Sequence, residues 1–309
     1  MPRKAWLEWA DRHLLMVGAT LILAGIVFSF AYNWESMSRL GKLSLAAAAI
    51  VVSAAAAQLV GRDKTGGKVL VLAASVLVGV LLAVFGQAYQ TGADAYELFT
   101  GWAALIFLWV LISRFAALWM VWLVVVHCAA IFYWVQVLEP GETHPFDVWF
   151  LGLACVDVVA LALRELAVRR RGIRWIAAVW FQGMLLSAAL FFASLPALAW
   201  IFDASEDLPL GAGSVVLWLA GVGGGFYVYR FVFREVLPLS CIVLDVCIVV
   251  CSALIHGIFE DRAFRSEGPW ILSGLIVLLV VGVAAVGLKY QIAAIRRELQ
   301  DLAVPKEAA

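Results

Sequence analysis

Charged residues are scarce in this chain, at 14% of 309 residues, whereas hydrophobic residues make up 65%. Soluble domains contain about 25% charged and about 45–50% apolar residues. A soluble fold of this composition would expose a large apolar surface, which excludes water as the main solvent. Lipid is the alternative, and helices satisfy every backbone hydrogen bond there. The apolar runs are unbroken, which argues against a transmembrane barrel with its alternating strands of about ten residues.

Signatures of enzymes and metal sites are also missing. The sequence has no HExxH, no GxSxG and no glycine-rich phosphate loop, and its four histidines are scattered. All five cysteines lie in apolar stretches, so no disulfide framework is indicated. Cys247 and Cys251 are one helical turn apart but lack further ligands, so we interpret them as small buried hydrophobic residues. We expect no enzymatic activity, no cofactor and no metal; an intramembrane enzyme is the remote alternative.

The chain instead contains ten apolar stretches, each near the length of about 20 residues that crosses a bilayer. We therefore predict an all-α membrane protein with about ten transmembrane helices. No small-residue cleavage site follows the first stretch, so we expect no cleaved signal peptide. The stretches are residues 14–34, 41–60, 68–88, 98–113, 115–138, 146–163, 173–201, 211–230, 236–258 and 269–290. The predicted parts are an interfacial amphipathic segment (1–13), five helices (14–138), five more (146–290) and a cytoplasmic tail (291–309).

Basic residues lie mostly on one side of the predicted membrane. Eighteen of the 22 lysines and arginines fall in the N-terminus, the even-numbered connections and the C-terminal tail. The positive-inside rule then places both termini in the cytoplasm. On this side, we expect anionic lipid head groups to contact a basic cluster, which consists of Arg169, Arg170, Arg171 and Arg174. No folded domain presents these bases, so we expect no nucleic-acid partner.

A dense polar segment follows the third apolar stretch, at its predicted outer end. Gln87 and Gln90 are three residues apart, so they share one helical face, and lipid cannot satisfy their amides. Two interpretations stay open: a capped helical hairpin whose amides bond to neighbouring helices, or a polar recognition site. Asn33 lies at the same predicted depth. The candidate site comprises Asn33, Trp34, Gln87, Tyr89, Gln90, Asp94 and Tyr96.

These residues also carry a family resemblance. The runs Ala31-Tyr32-Asn33-Trp34 and Gly86-Gln87-Ala88-Tyr89-Gln90-Thr91-Gly92-Ala93-Asp94, with Leu21–Gly25, Gly41-Lys42-Leu43, Leu98-Phe99 and Trp102, resemble a bacterial membrane-protein family. That family is filed as domain of unknown function 2157, and the resemblance covers roughly residues 10–150. It implies a polytopic membrane protein of bacterial type, and it implies no activity. We expect the protein to lie in the bacterial inner membrane.

Ionisable residues inside the apolar stretches are the second lead. An aspartate near mid-bilayer costs about 2.5–3.5 kcal/mol on insertion scales, so such residues face protein or a water-filled cavity. Asp245 and His256 share a helical face with Cys241 and Ser252. One hypothesis is a proton or cation path lined by His127, Asp157, Asp245 and His256. The other is that these groups hydrogen-bond across helices for structural reasons.

Two classes of function therefore remain. The protein is a transporter or channel-like protein for a small solute or ion, or it is a non-catalytic component that binds partner membrane proteins. A water-accessible cavity among the helices would favour the first class.

Overall fold

The computed structural model describes residues 36–90, 92–138, 145–202, 210–260 and 268–303, together with Trp6, Ala10, Leu14, Val17, Gly18, Leu21, Gly25 and Phe28. Every regular element in these ranges is helical, and no strand occurs among them. Within the same ranges, nine helices are long and apolar enough to cross a membrane. The predicted all-α membrane class is confirmed. Most of the first apolar stretch, 14–34, lies outside the described residues.

We number the described helices in chain order. They are α1 (Arg39–Val60), α2 (Thr65–Tyr89), α3 (Ala95–Ser113), α4 (Ala116–Tyr133), α5 (Phe146–Arg171), α6 (Val179–Ile201), α7 (Ala212–Tyr227), α8 (Val236–Glu260) and α9 (Gly268–Ala303). Two π-helical turns continue helices: Trp134–Leu138 follows α4, and Val228–Val232 follows α7. Such turns shift the side chains beyond them to a new face of the helix.

One predicted helix end is wrong. We predicted that the sixth apolar stretch ends at residue 163, whereas α5 continues to Arg171 and stops at Gly172, whose φ of 63° is left-handed. α9 runs to Ala303, so this helix also continues past its apolar stretch, which ends at residue 290. Apolarity marks the lipid-exposed part of a helix, while glycine in the left-handed region marks where the helix ends. Arg164, Glu165 and Arg169 therefore belong to a helix rather than to a connection.

The chain forms two compact units, Met1–Trp109 and Val110–Ala309. Their boundary lies inside α3, whereas the predicted five-plus-five division lies at residues 139–145; the division into two helical halves stays a prediction. In the first unit α1 and α2 form a hairpin that turns at Gly61. A side chain at Gly67 would collide with the Gly61 carbonyl, so glycine permits this close approach.

Trp102 fixes α3 against α2 within the first unit. Its indole Nε1 donates a hydrogen bond to the Ser75 carbonyl oxygen over 2.8 Å. The ring covers Gly79, where a Cβ atom would meet the indole carbons at 2.5 Å. The absence of a side chain at Gly79 is therefore what lets the large indole lie against α2.

In the second unit, α6 is the central helix. It contacts α4, α5, α7 and α8. Its sequence between Val179 and Ile201 contains no charged residue, and many of its side chains are buried, among them Phe181, Leu185, Leu186, Leu190 and Phe192. A helix that is apolar on all sides buries most of its surface in the middle of a bundle. α6 therefore forms the centre around which α4, α5, α7 and α8 pack.

Candidate functional site

A buried ionic cluster lies where α5, α6 and the start of α8 meet. Its centre is Glu165 on α5, whose side chain is 10% exposed. Glu165 Oε1 accepts from Arg164 Nη1 over 2.6 Å and from Gln182 Nε2 over 2.7 Å. Glu165 Oε2 accepts from Arg169 Nε over 2.8 Å, one helical turn further along α5. Both carboxylate oxygens are thus satisfied, as a buried charge requires.

Glu235, beside the third of these elements, completes the cluster. It directly precedes α8, and its carboxylate accepts hydrogen bonds from Arg169 and from the Gln182 amide. An amide nitrogen has two hydrogens, so Gln182 can bridge Glu165 and Glu235. The Glu235 backbone nitrogen donates to the Tyr229 carbonyl oxygen over 3.0 Å. Residues distant in sequence therefore hold the two carboxylates close together.

Arg164 is buried and ties the cluster to the connection between α5 and α6. Its Nε donates to the Ile176 carbonyl oxygen over 3.1 Å, and its Nη2 donates to the Ala177 carbonyl oxygen over 3.0 Å. Together with the bond to Glu165, these contacts use each nitrogen of the guanidinium group. The planar fork of arginine suits such a multidentate role better than lysine would.

A cavity of about 460 Å³ opens beside this cluster. Volumes of roughly 300–1,000 Å³ are typical of pockets for small molecules. Two arginines, two glutamates and one glutamine contribute to its wall, so both signs of charge are present in equal number. The lining residues are Arg164, Glu165, Val168, Arg169, Ala177, Val179, Gln182, Glu235, Val236, Leu237 and Pro238. The arrangement can hold a small molecule that carries both a positive and a negative group.

A larger cavity of about 690 Å³ lies between α7, α8 and α9, with almost entirely aliphatic walls. Val246, Val250, Leu279 and Val283 are among its lining residues. In a membrane-spanning bundle an apolar groove of this kind is suited to lipid acyl chains. The polar cavity is therefore the better candidate for a specific ligand.

A second ionic group links the π-helical turn after α7 to α9. The buried Arg230 donates to Glu298 Oε1 over 2.7 Å and to Gln291 Oε1 over 2.6 Å. Arg234, whose φ of 55° is left-handed, donates to Glu298 Oε2 over 2.9 Å. Because Arg234 immediately precedes Glu235, the same short segment connects α9 to the wall of the polar cavity.

The four residues of the predicted intramembrane path lie in three different neighbourhoods. His127 and Asp157 pair directly, with 3.1 Å between His127 Nε2 and Asp157 Oδ2. Asp245 accepts a hydrogen bond from Trp218 Nε1 over 2.8 Å. The His256 ring packs against Phe202. The lining of the polar cavity includes none of the four. Whether they form a path stays a prediction, and their contacts to other helices agree with the structural alternative.

The predicted outer polar site lies partly outside the described residues, since it includes Asn33 and Trp34. Gln87, Tyr89, Gln90 and Asp94 are exposed, while Tyr96 is half-buried. Gln90 ends α2 in a left-handed conformation with φ 47°, and its backbone nitrogen donates to the Gly86 carbonyl oxygen. Asp94 directly precedes α3, and its carbonyl oxygen accepts from the Leu98 nitrogen. The segment is thus a helical connection that presents polar side chains at the surface.

The four arginines of the predicted head-group cluster have two different environments. Arg169 is engaged with Glu165 and Glu235 in the ionic cluster. Arg170, Arg171 and Arg174 have exposed side chains. Contact between these three arginines and anionic lipid stays a prediction, whereas Arg169 has partners within the protein.

The polar cavity was not predicted from the sequence. The predicted apolar stretches leave Arg164, Glu165 and Glu235 in connections, and Gln182 is a polar residue within the stretch 173–201. One signal was available: Glu165 and Arg169 have the i, i+4 spacing of an ion pair on a helix. That spacing predicts that α5 extends past residue 163, although it does not reveal Glu235 as the partner.

The N-terminal part of the chain is similar to a known family. Residues 3–119 match a family described as Predicted membrane protein (DUF2157). This confirms the resemblance noted in the N-terminal part, although the matched segment ends before residue 150. No curated protein and no solved structure matches the chain. The matched segment ends before Arg164, so the polar cavity belongs to the part of the chain beyond it.

Proposed function

We propose that this polytopic membrane protein is a non-enzymatic transporter for a small polar solute, which it binds in the cavity beside Glu165 and Glu235. The observation that supports the proposal is a charged cavity inside a bundle of membrane-spanning helices. Buried ionisable groups in such bundles commonly mark the pathway of a substrate or an ion. Here they lie at the charged end of α5, directly beyond its apolar stretch. The charge pattern further supports an orientation with both termini in the cytoplasm. The resemblance of the N-terminal part supports a bacterial membrane, and we place the protein in the inner membrane.

The chemistry of the wall favours a zwitterion. Arg164 and Arg169 can pair with a carboxylate, while Glu165 and Glu235 can pair with an ammonium group. A solute with both groups can replace the internal ion pairs without leaving a charge unpaired. A solute with one charge would leave the opposite protein group without a partner, which is unfavourable in a partly buried site.

Thermal unfolding of the protein in nanodiscs tests this proposal. We expect that at least one amino acid, added alone, raises the unfolding temperature, because a ligand of the native state stabilises it. Ethanolamine and propionate, which carry only one charge each, should have no such effect. Glu235→Gln should abolish the shift, whereas Glu298→Gln should preserve it. The two glutamates are matched, because both pair with arginine and their side chains are 33% and 37% exposed. Equal shifts in the two variants, or none in the unmodified protein, would reject zwitterion binding.

A second candidate function is binding of a partner membrane protein through the polar surface at the end of α2. The exposed side chains of Gln87, Gln90 and Asp94 favour it. Pull-down of tagged protein from gently solubilised native membranes should then recover a stoichiometric partner. Gln87→Ala combined with Asp94→Ala should lose that partner, while Glu298→Gln should retain it. Purification of the unmodified protein alone would count against this function.

A further inference from the structure

His127 and Asp157 meet in the interior of the second unit. His127 lies near the middle of the apolar stretch Ala116–Leu138, and Asp157 lies near the middle of Phe146–Arg171. Their side chains are 10% and 1% exposed. His127 Nε2 is 3.1 Å from Asp157 Oδ2, and His127 Nδ1 is 2.7 Å from the Leu123 carbonyl oxygen.

These two distances determine how many protons the pair holds. A carbonyl oxygen can only accept, so His127 Nδ1 must carry a hydrogen that it donates to Leu123. In a neutral imidazole Nε2 is then an acceptor. An ionised Asp157 would also be an acceptor, and two acceptors repel each other. The contact between His127 and Asp157 therefore requires one further proton between Nε2 and Oδ2.

That proton can reside on either partner with the same total charge. With the proton on His127, an imidazolium lies beside a carboxylate. With the proton on Asp157, a neutral imidazole lies beside a carboxylic acid. The net charge of the pair is zero in both cases. Removal of the proton would leave one net negative charge on a buried pair. The Phe192 ring stacks on the imidazole at a centroid distance of 4.9 Å and an angle of 7°. Asp157 Oδ1 is buried and has no hydrogen-bond partner in the described part of the chain, so a full charge on this carboxyl is poorly stabilised.

Other titratable groups lie on the helices around the pair. Cys128 and Tyr133 are on α4, and α6 has none between Val179 and Ile201. Those on α5 are Asp147, Cys155, Arg164, Glu165, Arg169, Arg170 and Arg171. Asp245, on α8 beyond α6, bonds to Trp218. Arg164 pairs with Glu165, and Asp147 bonds to backbone amides. The pair therefore depends on its own two members for the shared proton.

We propose that His127 and Asp157 form a buried proton-binding site that holds one dissociable proton between imidazole and carboxyl. The site takes a proton as its ligand, and it is distinct from the polar cavity. The inference does not rest on the proposed function, because proton counting follows from the contacts of His127 alone.

Nitrogen NMR of protein labelled at histidine, reconstituted in nanodiscs, tests the site together with infrared spectra of the carboxyl groups. His127→Gln assigns the signal among the four histidines. At neutral pH we expect a protonated Nδ1, together with either a protonated Nε2 or an infrared carboxylic-acid band that Asp157→Asn removes. Raising the pH should remove one proton from the pair and leave Nδ1 protonated. A neutral His127 beside an ionised Asp157 at neutral pH would overturn the proposal.

Asp157→Asn keeps the test valid if other variants fold poorly, because asparagine has nearly the same shape. Its amide can donate to His127 Nε2, so the pair no longer needs the shared proton. We expect His127 of this variant to remain neutral with Nδ1 protonated across the pH range in which the unmodified pair changes. If the unmodified protein holds the proton on the imidazole, an unchanged histidine titration in Asp157→Asn would contradict the proposal. If it holds the proton on the carboxyl, a carboxylic-acid band that persists in Asp157→Asn would contradict it.

Discussion

Replacement of Glu165 by alanine is expected to lower the free energy of unfolding by roughly 3–5 kcal/mol, the cost of breaking a buried ion pair by removing one partner. Glu165 is the common acceptor of Arg164, Arg169 and Gln182. Arg164 is 6% exposed, so its charge would stay buried after the substitution. Equilibrium unfolding in nanodiscs, followed by steric trapping or tryptophan fluorescence, measures the change.

Two further variants provide comparisons for the loss of stability in Glu165→Ala. Glu97→Ala removes an exposed carboxylate in the first turn of α3 and should change the free energy of unfolding only slightly. Glu165→Gln keeps an acceptor oxygen without the charge, so its effect should lie between those of the other two variants. If Glu165→Ala were no more harmful than Glu97→Ala, the ionic cluster would not hold α5, α6 and α8 together.

Asp147→Ala is expected to have the next largest effect on stability. The side chain is fully buried, and its two oxygens accept from the backbone nitrogens of Val148 and Leu210, each over 2.8 Å. A hydrogen bond to a charged group contributes about 1.5–3 kcal/mol. The second bond joins the start of α5 to the segment before α7, so both the helix end and the connection lose a partner.

Asparagine at this position provides a graded comparison. Asp147→Asn retains one acceptor oxygen and replaces the other by a donor, which cannot pair with a second backbone N–H group. We expect a loss of stability smaller than that of Asp147→Ala, and faster amide exchange at Leu210 in both variants. Equal unfolding free energies for Asp147→Ala and the unmodified protein would show that the double cap is unimportant.

The helical membrane class was predictable because it depends on composition and on the length of apolar runs. Helix ends were less predictable where a helix continues beyond its apolar stretch. α5 continues as a charged helix from Arg164 to Arg171 and ends at Gly172. Asp147 lies at the very start of the apolar stretch 146–163, where a charge is commonly solvated, yet it is buried as a cap. Hydropathy cannot distinguish a solvated charge from one whose partners lie on another helix.

For the polar groups inside the bundle, burial was predictable from the sequence but the hydrogen-bond partners were not. The prediction that they are not exposed to lipid holds for His127, Asp157 and Asp245, each of which is buried. Their partners were not predictable, because Asp157 faces a residue 30 positions away and Asp245 faces one 27 positions away. The polar cavity depends on the contact of Glu165 and Glu235 with one glutamine, and a single sequence contains no signal for that arrangement.

Exchange of labelled amino acids across proteoliposomes tests the central claim most directly. Liposomes loaded with an unlabelled amino-acid mixture are diluted into a trace of the same mixture carrying a radiolabel. We expect the unmodified protein and Glu298→Gln to accumulate label, and Glu235→Gln to accumulate no more than protein-free liposomes. Accumulation by Glu235→Gln equal to that of the unmodified protein, or no accumulation by any of them, would contradict transport through the polar cavity.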